Sequence, residues 1–525
     1  MAKVSSEGAG VRALPAVRLD QLWALFALSL IAAFISLVPT APNDFWWHLK
    51  AGELIATQGL PTTNLFAWSL PADAPFVYQS WLGEWLFYQL YRLGGLQLVV
   101  FARNLLGAAA YGLVALEARR RSGSWRLAAL AALFAAAMTI NNFTTRTQNW
   151  SWLPFMATLI LLGRYSDGQL APRWLAALPL IMLFWVNAHG AFTLGLLLAG
   201  AFVVGETLRR LLRQPRALTW PKLRALYLAV AAMAVATVLN PLGPGVFGYV
   251  LDLLGDAPSQ RLINEWQSPT PRSLAGALFY LGVLAVIGAF AFARRRPTIT
   301  DVLLVCGLAW QAFVGARYVV WFGMAALPIV AQSLAAPRSI LGQPQAPRPR
   351  ERGAGAAANL GLALALLLGV AALQPWTKPL LGLPAPYQAL FAPVPGAPQL
   401  FSADTPVAAV EHLRAEPCAG RIFNEMGQGS YMSWALYPAA QHYIDPRVEL
   451  FPLEQWETYV AVSAGQDVAA FLEREQIACV SLDTALQPKL AAAMAGLPGW
   501  ERSFSAGRSE VWRRAGSVEQ GTGQP

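Results

Sequence analysis

Asp44-Phe45-Trp46-Trp47-His48-Leu49 follows the first long apolar stretch of the chain and opens a polar, aromatic-rich segment. If the segment is helical, the Asp44 carboxylate and the His48 imidazole stand one turn apart on a single face. Ala51 and Gly52 extend that face with little bulk. The string therefore sets polar chemistry against an apolar span, and whether that span crosses a bilayer decides the fold.

Composition answers the question. Of 525 residues, 56% are hydrophobic and only 13% charged, against roughly 25% charged in soluble domains. Apolar stretches able to cross roughly 30 Å of hydrocarbon recur from Leu22 to about Trp376. They fall at about 20–40, 96–117, 125–141, 150–165, 173–188, 190–210, 224–240, 274–293, 300–315, 317–336 and 356–375, some eleven helices. The net charge of +10 lies in short loops, not on a soluble domain, which argues against a nucleic-acid partner. The basic groups are Arg119–Arg121 with Arg126, Arg209 to Arg224, Arg294–Arg296, and Arg338 to Arg352. They alternate with loops poor in basic residues, the positive-inside pattern. With Lys3, Arg12 and Arg18 ahead of a first span that lacks a cleavage site, the N-terminus is expected in the cytoplasm and the span is read as a retained anchor.

The expected organisation is a cytoplasmic tail (1–19), a membrane domain (20–375) and an extracytoplasmic α/β domain (376–515), with a disordered tail (516–525). Within the membrane domain, external loops cover 41–95 and 240–273, and a flexible cytoplasmic linker covers 337–355. In the C-terminal domain, short β-rich runs at 421–423, 442–444, 477–482 and 509–513 alternate with amphipathic stretches at 404–415, 466–475 and 484–495. Cys306 falls in a span, and Cys418 and Cys479 are read as free buried thiols, with a disulfide between them the alternative.

Function is expected on the outer face. Asp44 can act as a general base there, against the simpler role of capping the helix that begins at Phe45. His48 can orient that base or hold a phosphate. Trp46 and Trp47 can stack on a sugar, although an interfacial belt is the favoured reading. Glu84, on an interfacial helix expected over 80–93, is a second acid candidate, against a solvated or capping role. Arg103 inside the second span costs roughly 2.5–3.5 kcal/mol to insert, so it calls for a partner or a substrate path. Arg146, His189 and Arg317 face the same side and can cradle a lipid phosphate. Glu265 can contact an acceptor or bridge to Arg261 or Arg272, and Asp445 is expected to pair with Arg447. No phosphate-binding glycine loop, zinc-spaced Cys/His cluster, Gly-x-Ser-x-Gly or internal repeat is present, which argues against ATP-driven transport, serine hydrolysis and a duplicated transporter.

These strings resemble bacterial membrane proteins related to the GT-C glycosyltransferases, which use polyprenyl-phosphate-linked sugars. The resemblance covers most of the chain. It is carried by Asp44 to Leu49 with Gly52, Gly59-Leu60-Pro61, Gln79-Ser80-Trp81-Leu82 and Trp185-Val186-Asn187-Ala188-His189-Gly190. Gly429-Ser430-Tyr431 and Asp445-Pro446-Arg447 with Trp456 and Tyr459 look like the external domain appended in this group. Asn64 and Gln79 stand where similar sequences often carry Asp and His. The resemblance implies an all-α polytopic GT-C-like membrane protein of the bacterial cytoplasmic membrane with an extracytoplasmic α/β domain. It implies inverting transfer from a polyprenyl-phosphate sugar to an extracytoplasmic glycan, lipid or protein, with Asp44 as base. Trp47, His48, Glu84, Arg103, Arg146, His189, Glu265 and Arg317 are then the substrate-binding candidates. No cofactor is certain from the residues; the lipid-linked sugar is the expected donor substrate, and a divalent metal is left open without support in the sequence. A non-catalytic scaffold for envelope assembly is the alternative, and a translocator of lipid-linked substrate the third reading.

Overall fold

The computed structural model describes residues 17–293, 296–335, 354–391 and 400–515. The tail through residue 16, nearly all of the expected 337–355 linker and the 516–525 tail lie outside the described residues, as do Arg294, Arg295 and the basic group at 338–352. Residues 354 and 355, expected in the linker, already belong to a helix.

In chain order the membrane-domain helices are α1 (Leu19–Leu37), α2 (Asp44–Gln58), α3 (Trp81–Ser122), α4 (Trp125–Met138), α5 (Trp152–Ser166), α6 (Ala177–Ala188) and α7 (Thr193–Leu211). They continue as α8 (Trp220–Thr237), α9 (Gly245–Gly255), α10 (Ala257–Leu262), α11 (Leu274–Ala291), α12 (Ile299–Val314), α13 (Val319–Leu334) and α14 (Ala354–Ala372). A helix lies at each of the eleven expected positions. Among the described residues, however, six are long and apolar enough to cross a membrane: α1, α3, the stretches 190–211 and 316–334, α11 and α14. The helices at 125–138, 172–188 and 299–314 are apolar but shorter.

Packing separates central from peripheral helices. α13 is buried along its length between α3, α4, α11 and α12, where Gly323 and a run of alanines let neighbouring backbones approach. α14 packs mainly on α1 and turns Leu362, Leu364, Leu367 and Leu368 outward. α3 bends where Gly94 leaves helical geometry and Gly95 takes φ 63°, a left-handed conformation that glycine adopts at little cost. The bend divides a short arm, 81–93, from a longer part, 96–122, close to the expected division.

Arg103, buried in α3, does not line an open path. Its guanidinium donates to the Ile35 carbonyl at 2.9 Å and the Asn104 side chain at 2.9 Å, with Thr145 Oγ1 at 3.4 Å. Lys378, also buried, donates to the next carbonyl, Ser36, at 3.1 Å. Both cations therefore donate to carbonyls in the last turn of α1, where the helix dipole is negative, Arg103 adding to the Val38 N–H that already reaches Ile35. The other end of the bundle is tied by Arg120 and Arg121 on Glu117, Arg121 on Asp301, and Arg209 on Glu206, at 2.6–2.9 Å.

After a short helix α15 (Ala385–Gln388), the C-terminal unit comprises α16 (Val407–Ala415), β1 (Arg421–Asn424), α17 (Met426–Leu436), α18 (Leu453–Ser463), α19 (Val468–Arg474), β2 (Ile477–Asp483), α20 (Pro488–Ala495), β3 (Trp500–Ala506) and β4 (Ser509–Arg514). The sheet order is β1-β2-β4-β3, with β1 and β2 parallel and the other pairs antiparallel. Residues 442–444, expected as a strand, instead make isolated bridges through His442 to Ala67 and Ile422. Strand β3 and helices α17 and α18 are additions to the expected elements. Cys418 and Cys479 form a disulfide across a Cα separation of 6.2 Å, not two free thiols. Parallel pairing of β1 with β2 brings the two together, although 61 positions separate them.

The C-terminal unit is seated on the 41–95 loop. Arg447 lies between the rings of Phe66 (4.8 Å) and Phe76 (5.0 Å), donates to Asn64, and forms the expected pair with Asp445 at 2.7 Å. Ser430 accepts from the Trp47 backbone N–H at 3.1 Å. Trp46 stacks on Phe401 at 5.4 Å with Tyr431 edge-on. Trp46 and Trp47, 1% and 7% exposed, are thus neither an interfacial belt nor a sugar platform. They are core between α2 and the C-terminal unit.

Candidate active site

Asp44 is the first residue of α2, and the position before it, Asn43, is the N-cap. Among the described residues the Asp44 side chain makes no hydrogen bond, so it does not cap its helix. The side chain is 32% exposed, yet protein surrounds it closely. That combination describes a recess. Burial pushes its carboxyl above the ordinary Asp range, and Arg146 and His48 pull part of the way back.

Across from Asp44 stands a pair of arginines. Arg146, in the 139–151 connection, has Nη1 3.9 Å from Asp44 Oδ2 and donates to Glu265 Oε2 at 2.8 Å. Glu265 also lies 3.9 Å from Arg317 Nη1. Burial opposes its ionisation, but Arg146 and then Arg317 prevail and hold its carboxyl down at about 2. Glu265 therefore bridges to these two arginines and not to Arg261 or Arg272. Arg317 is stacked 4.3 Å over Trp266. Among the described residues it makes no hydrogen bond, which leaves guanidinium N–H groups available to an anion.

His189 completes this side. Ala191 N–H donates to its Nδ1 at 3.2 Å, so that nitrogen is an acceptor. The Trp185 indole donates to Ser151, whose hydroxyl lies 2.8 Å from the same Nδ1. The ring proton is then on Nε2. Burial first, then the charges of Arg317 and Arg146, hold His189 well below the usual imidazole range, which leaves it a neutral donor.

Behind Asp44, His48 Nδ1 lies 2.8 Å from Glu84 Oε1 and Nε2 lies 3.4 Å from Thr147 Oγ1. Glu84 is 1% exposed, so it is neither solvated nor a cap. The Trp47 ring covers His48 at 3.6 Å. Asn64 and Gln79 are used for structure: Asn64 binds the Ala67 backbone and Arg447, and Gln79 donates to the Val186 carbonyl at 2.7 Å.

The structure thus gathers Asp44, His48, Glu84, Arg146, His189, Glu265 and Arg317 around one recess, and leaves Arg103 and Trp47 as packing. Residues beyond the sequence candidates also reach it. Thr147 and Ser151 hold the two imidazoles. Tyr249 on α9 and Glu449 from the C-terminal unit approach the same charges. The Thr144-Thr145-Arg146-Thr147 string was the only local signal for any of these. Among the described residues no group of three or more His, Cys, Asp or Glu side chains is placed to hold a metal ion. The position between Asp44 and Glu265 is taken by the Arg146 guanidinium, so the donor set does not fit one.

This architecture resembles the GT-C fold found in membrane glycosyltransferases. ArnT from Cupriavidus metallidurans, solved bound to undecaprenyl phosphate, is similar at TM-score 0.52 and 16% identity, over 95% of this chain and 99% of that one. The arabinofuranosyltransferase AftD from Mycobacteria matches at TM-score 0.50 and 16% identity over 96% of this chain, which spans 42% of AftD. No protein-family model and no curated protein matches the sequence. At this level of identity, the likeness is one of fold.

Proposed function

We propose that the chain is a membrane glycosyltransferase that moves a sugar from a polyprenyl-phosphate donor to an acceptor outside the cytoplasm, with Asp44 as general base. The observation that carries this reading is the uncapped Asp44 carboxylate in a recess opposite Arg146 and Arg317. Protein around it raises its basicity, as proton abstraction requires. The acceptor hydroxyl gives its proton to Asp44 while its oxygen bonds to the anomeric carbon. The bond from that carbon to the phosphate oxygen breaks with inversion, and the electron pair leaves on the lipid phosphate. Arg317, with unengaged N–H groups, and neutral His189 through Nε2–H are suited to the charge that develops there.

The topology belongs to the same reading: eleven spans in a bacterial cytoplasmic membrane, a cytoplasmic N-terminus and an external C-terminal unit. Three observations support it. The described basic residues Arg120, Arg121 and Arg209 lie at one end of the bundle, the recess lies at the other, and the Cys418–Cys479 disulfide suits an oxidising compartment. Purified wild type and Asp44→Asn, incubated with radiolabelled polyprenyl-phosphate sugars and envelope extract, test the proposal. Label transfer by the wild type alone is expected. Equal transfer by both removes Asp44 from the mechanism, and no transfer from any donor returns weight to the scaffold reading.

A further inference from the structure

Each time Asp44 removes a proton from an acceptor it becomes neutral, and it must be reset before the next turnover. His48 stands one helical turn away. Its ring is held on three sides, by Glu84 at Nδ1, Thr147 at Nε2 and the Trp47 ring. Other charged or titratable groups surround the pair: Asp44 and His189 lie within electrostatic reach of His48, and Arg447, Tyr78 and Tyr249 within reach of Glu84.

Glu84 carries the argument. It sits in the first turn of α3, where the positive end of the helix favours an anion. Its Oε2 has no hydrogen-bond partner among the described residues, so the contact with His48 is its one side-chain hydrogen bond. A carboxylate buried in this way is retained only against a matched donor. If Oε1 accepts from Nδ1–H, the neutral imidazole has its free electron pair on Nε2, on the side of Thr147. The spacing is built in, because α2 and α3 meet at Gly52, where no side chain separates the two backbones.

We infer that Glu84 is a positioning residue, which holds His48 with Nε2 unprotonated so that the imidazole receives the proton Asp44 has taken from the acceptor. The inference rests on the transferase reading above. The proton passes from the acceptor oxygen to Asp44 during bond exchange at the anomeric carbon. It moves next to His48 Nε2, forming an imidazolium against the Glu84 carboxylate, and leaves to solvent through the recess.

Full-length protein with 15N-labelled histidine, in lipid nanodiscs, gives the ring-nitrogen spectrum of all four histidines, and His48→Gln assigns the signal. The expected wild-type state has Nδ1 protonated and Nε2 bare, a preference lost in Glu84→Gln and partly kept in Glu84→Asp. With a donor the wild type uses, Glu84→Gln should lower kcat by about 10- to 100-fold at nearly constant KM, and Glu84→Asp should recover part of the loss. A wild-type His48 protonated on Nε2 overturns the inference, whether or not the variants fold. So does an unchanged kcat in folded Glu84→Gln while Asp44→Asn is inactive. A wild type that transfers nothing from any donor overturns both readings.

Discussion

Gly52 lies so near Glu84 that a Cβ on the glycine would fall 2.1 Å from the Glu84 carbonyl oxygen. No real contact is that short, so α2 and the short arm of α3 touch backbone to backbone. The same crossing brings His48 within a hydrogen bond of Glu84, and the small residue just beyond the Asp44 to Leu49 string is therefore part of the site's geometry.

Gly52→Ala should push the two helices apart, destabilise the protein by about 1–3 kcal/mol as overpacking does, and reduce transfer. Gly112→Ala, also in α3 but with nothing within 4 Å of its Cβ, should be neutral or stabilising by up to about 1 kcal/mol. Thermal unfolding of both variants in detergent checks the contrast, and equal effects would remove the steric account.

Asp44→Asn should lower transfer by about 10²- to 10⁴-fold without lowering the melting temperature at neutral pH. The sign follows from the raised carboxyl. A group whose folded value lies above its unfolded one favours the folded state while protonated, and that advantage fades as pH rises through the folded value. Asparagine keeps the neutral form at every pH. A marked fall in melting temperature at pH 7 would show that the charge holds the fold.

The folded and unfolded values run the other way at Glu265, held down at about 2. Its contribution is present above the ordinary Glu range and is lost as pH falls through about 2. Arg146→Gln leaves this acid without its hydrogen-bonded partner and should cost about 3–5 kcal/mol. Adding Glu265→Gln should recover much of it, and strictly additive losses in a double-mutant cycle would argue against the coupling.

Much of this fold is legible because membrane helices announce themselves through length and apolarity, and the Asp44 to Leu49 string stands out by its polarity beside a span. What stayed hidden depends on return contacts across hundreds of residues. Trp46 and Trp47 read as interfacial until Ser430, Phe401 and Tyr431 fold back over them. Arg103 reads as a substrate contact because nothing local shows that the Ile35 carbonyl waits beside it. Glu84 lies among aromatics on a helix expected at the membrane interface, where a solvated or capping acid is the simpler reading, and the α2 crossing buries it.

Intact mass after maleimide treatment should show one adduct, at Cys306, before reduction, and three after reduction and denaturation, as the Cys418–Cys479 link requires. Cys418→Ser with Cys479→Ser should lower stability by about 2–4 kcal/mol. Three adducts on unreduced, unfolded protein would exclude the bond.

Burial first, with the charge of Arg103 adding to it, brings the Lys378 ammonium down to about 7. Between that value and the ordinary lysine range the unfolded chain binds more protons, so stability should rise with pH there. Lys378→Met should flatten the rise between pH 7 and 10, read as melting temperature, and an unchanged slope would assign the effect elsewhere.

The bend at Gly94 and Gly95 leaves the short arm and the longer part of α3 a single covalent rod with one elbow. Glu84, and through it His48 and Asp44, hang from the short limb. In the membrane orientation proposed above, with the long limb crossing the bilayer, the elbow is a depth gauge: it fixes how far above the hydrocarbon the acid stands, and so what a lipid-linked donor of the proposed kind would have to reach.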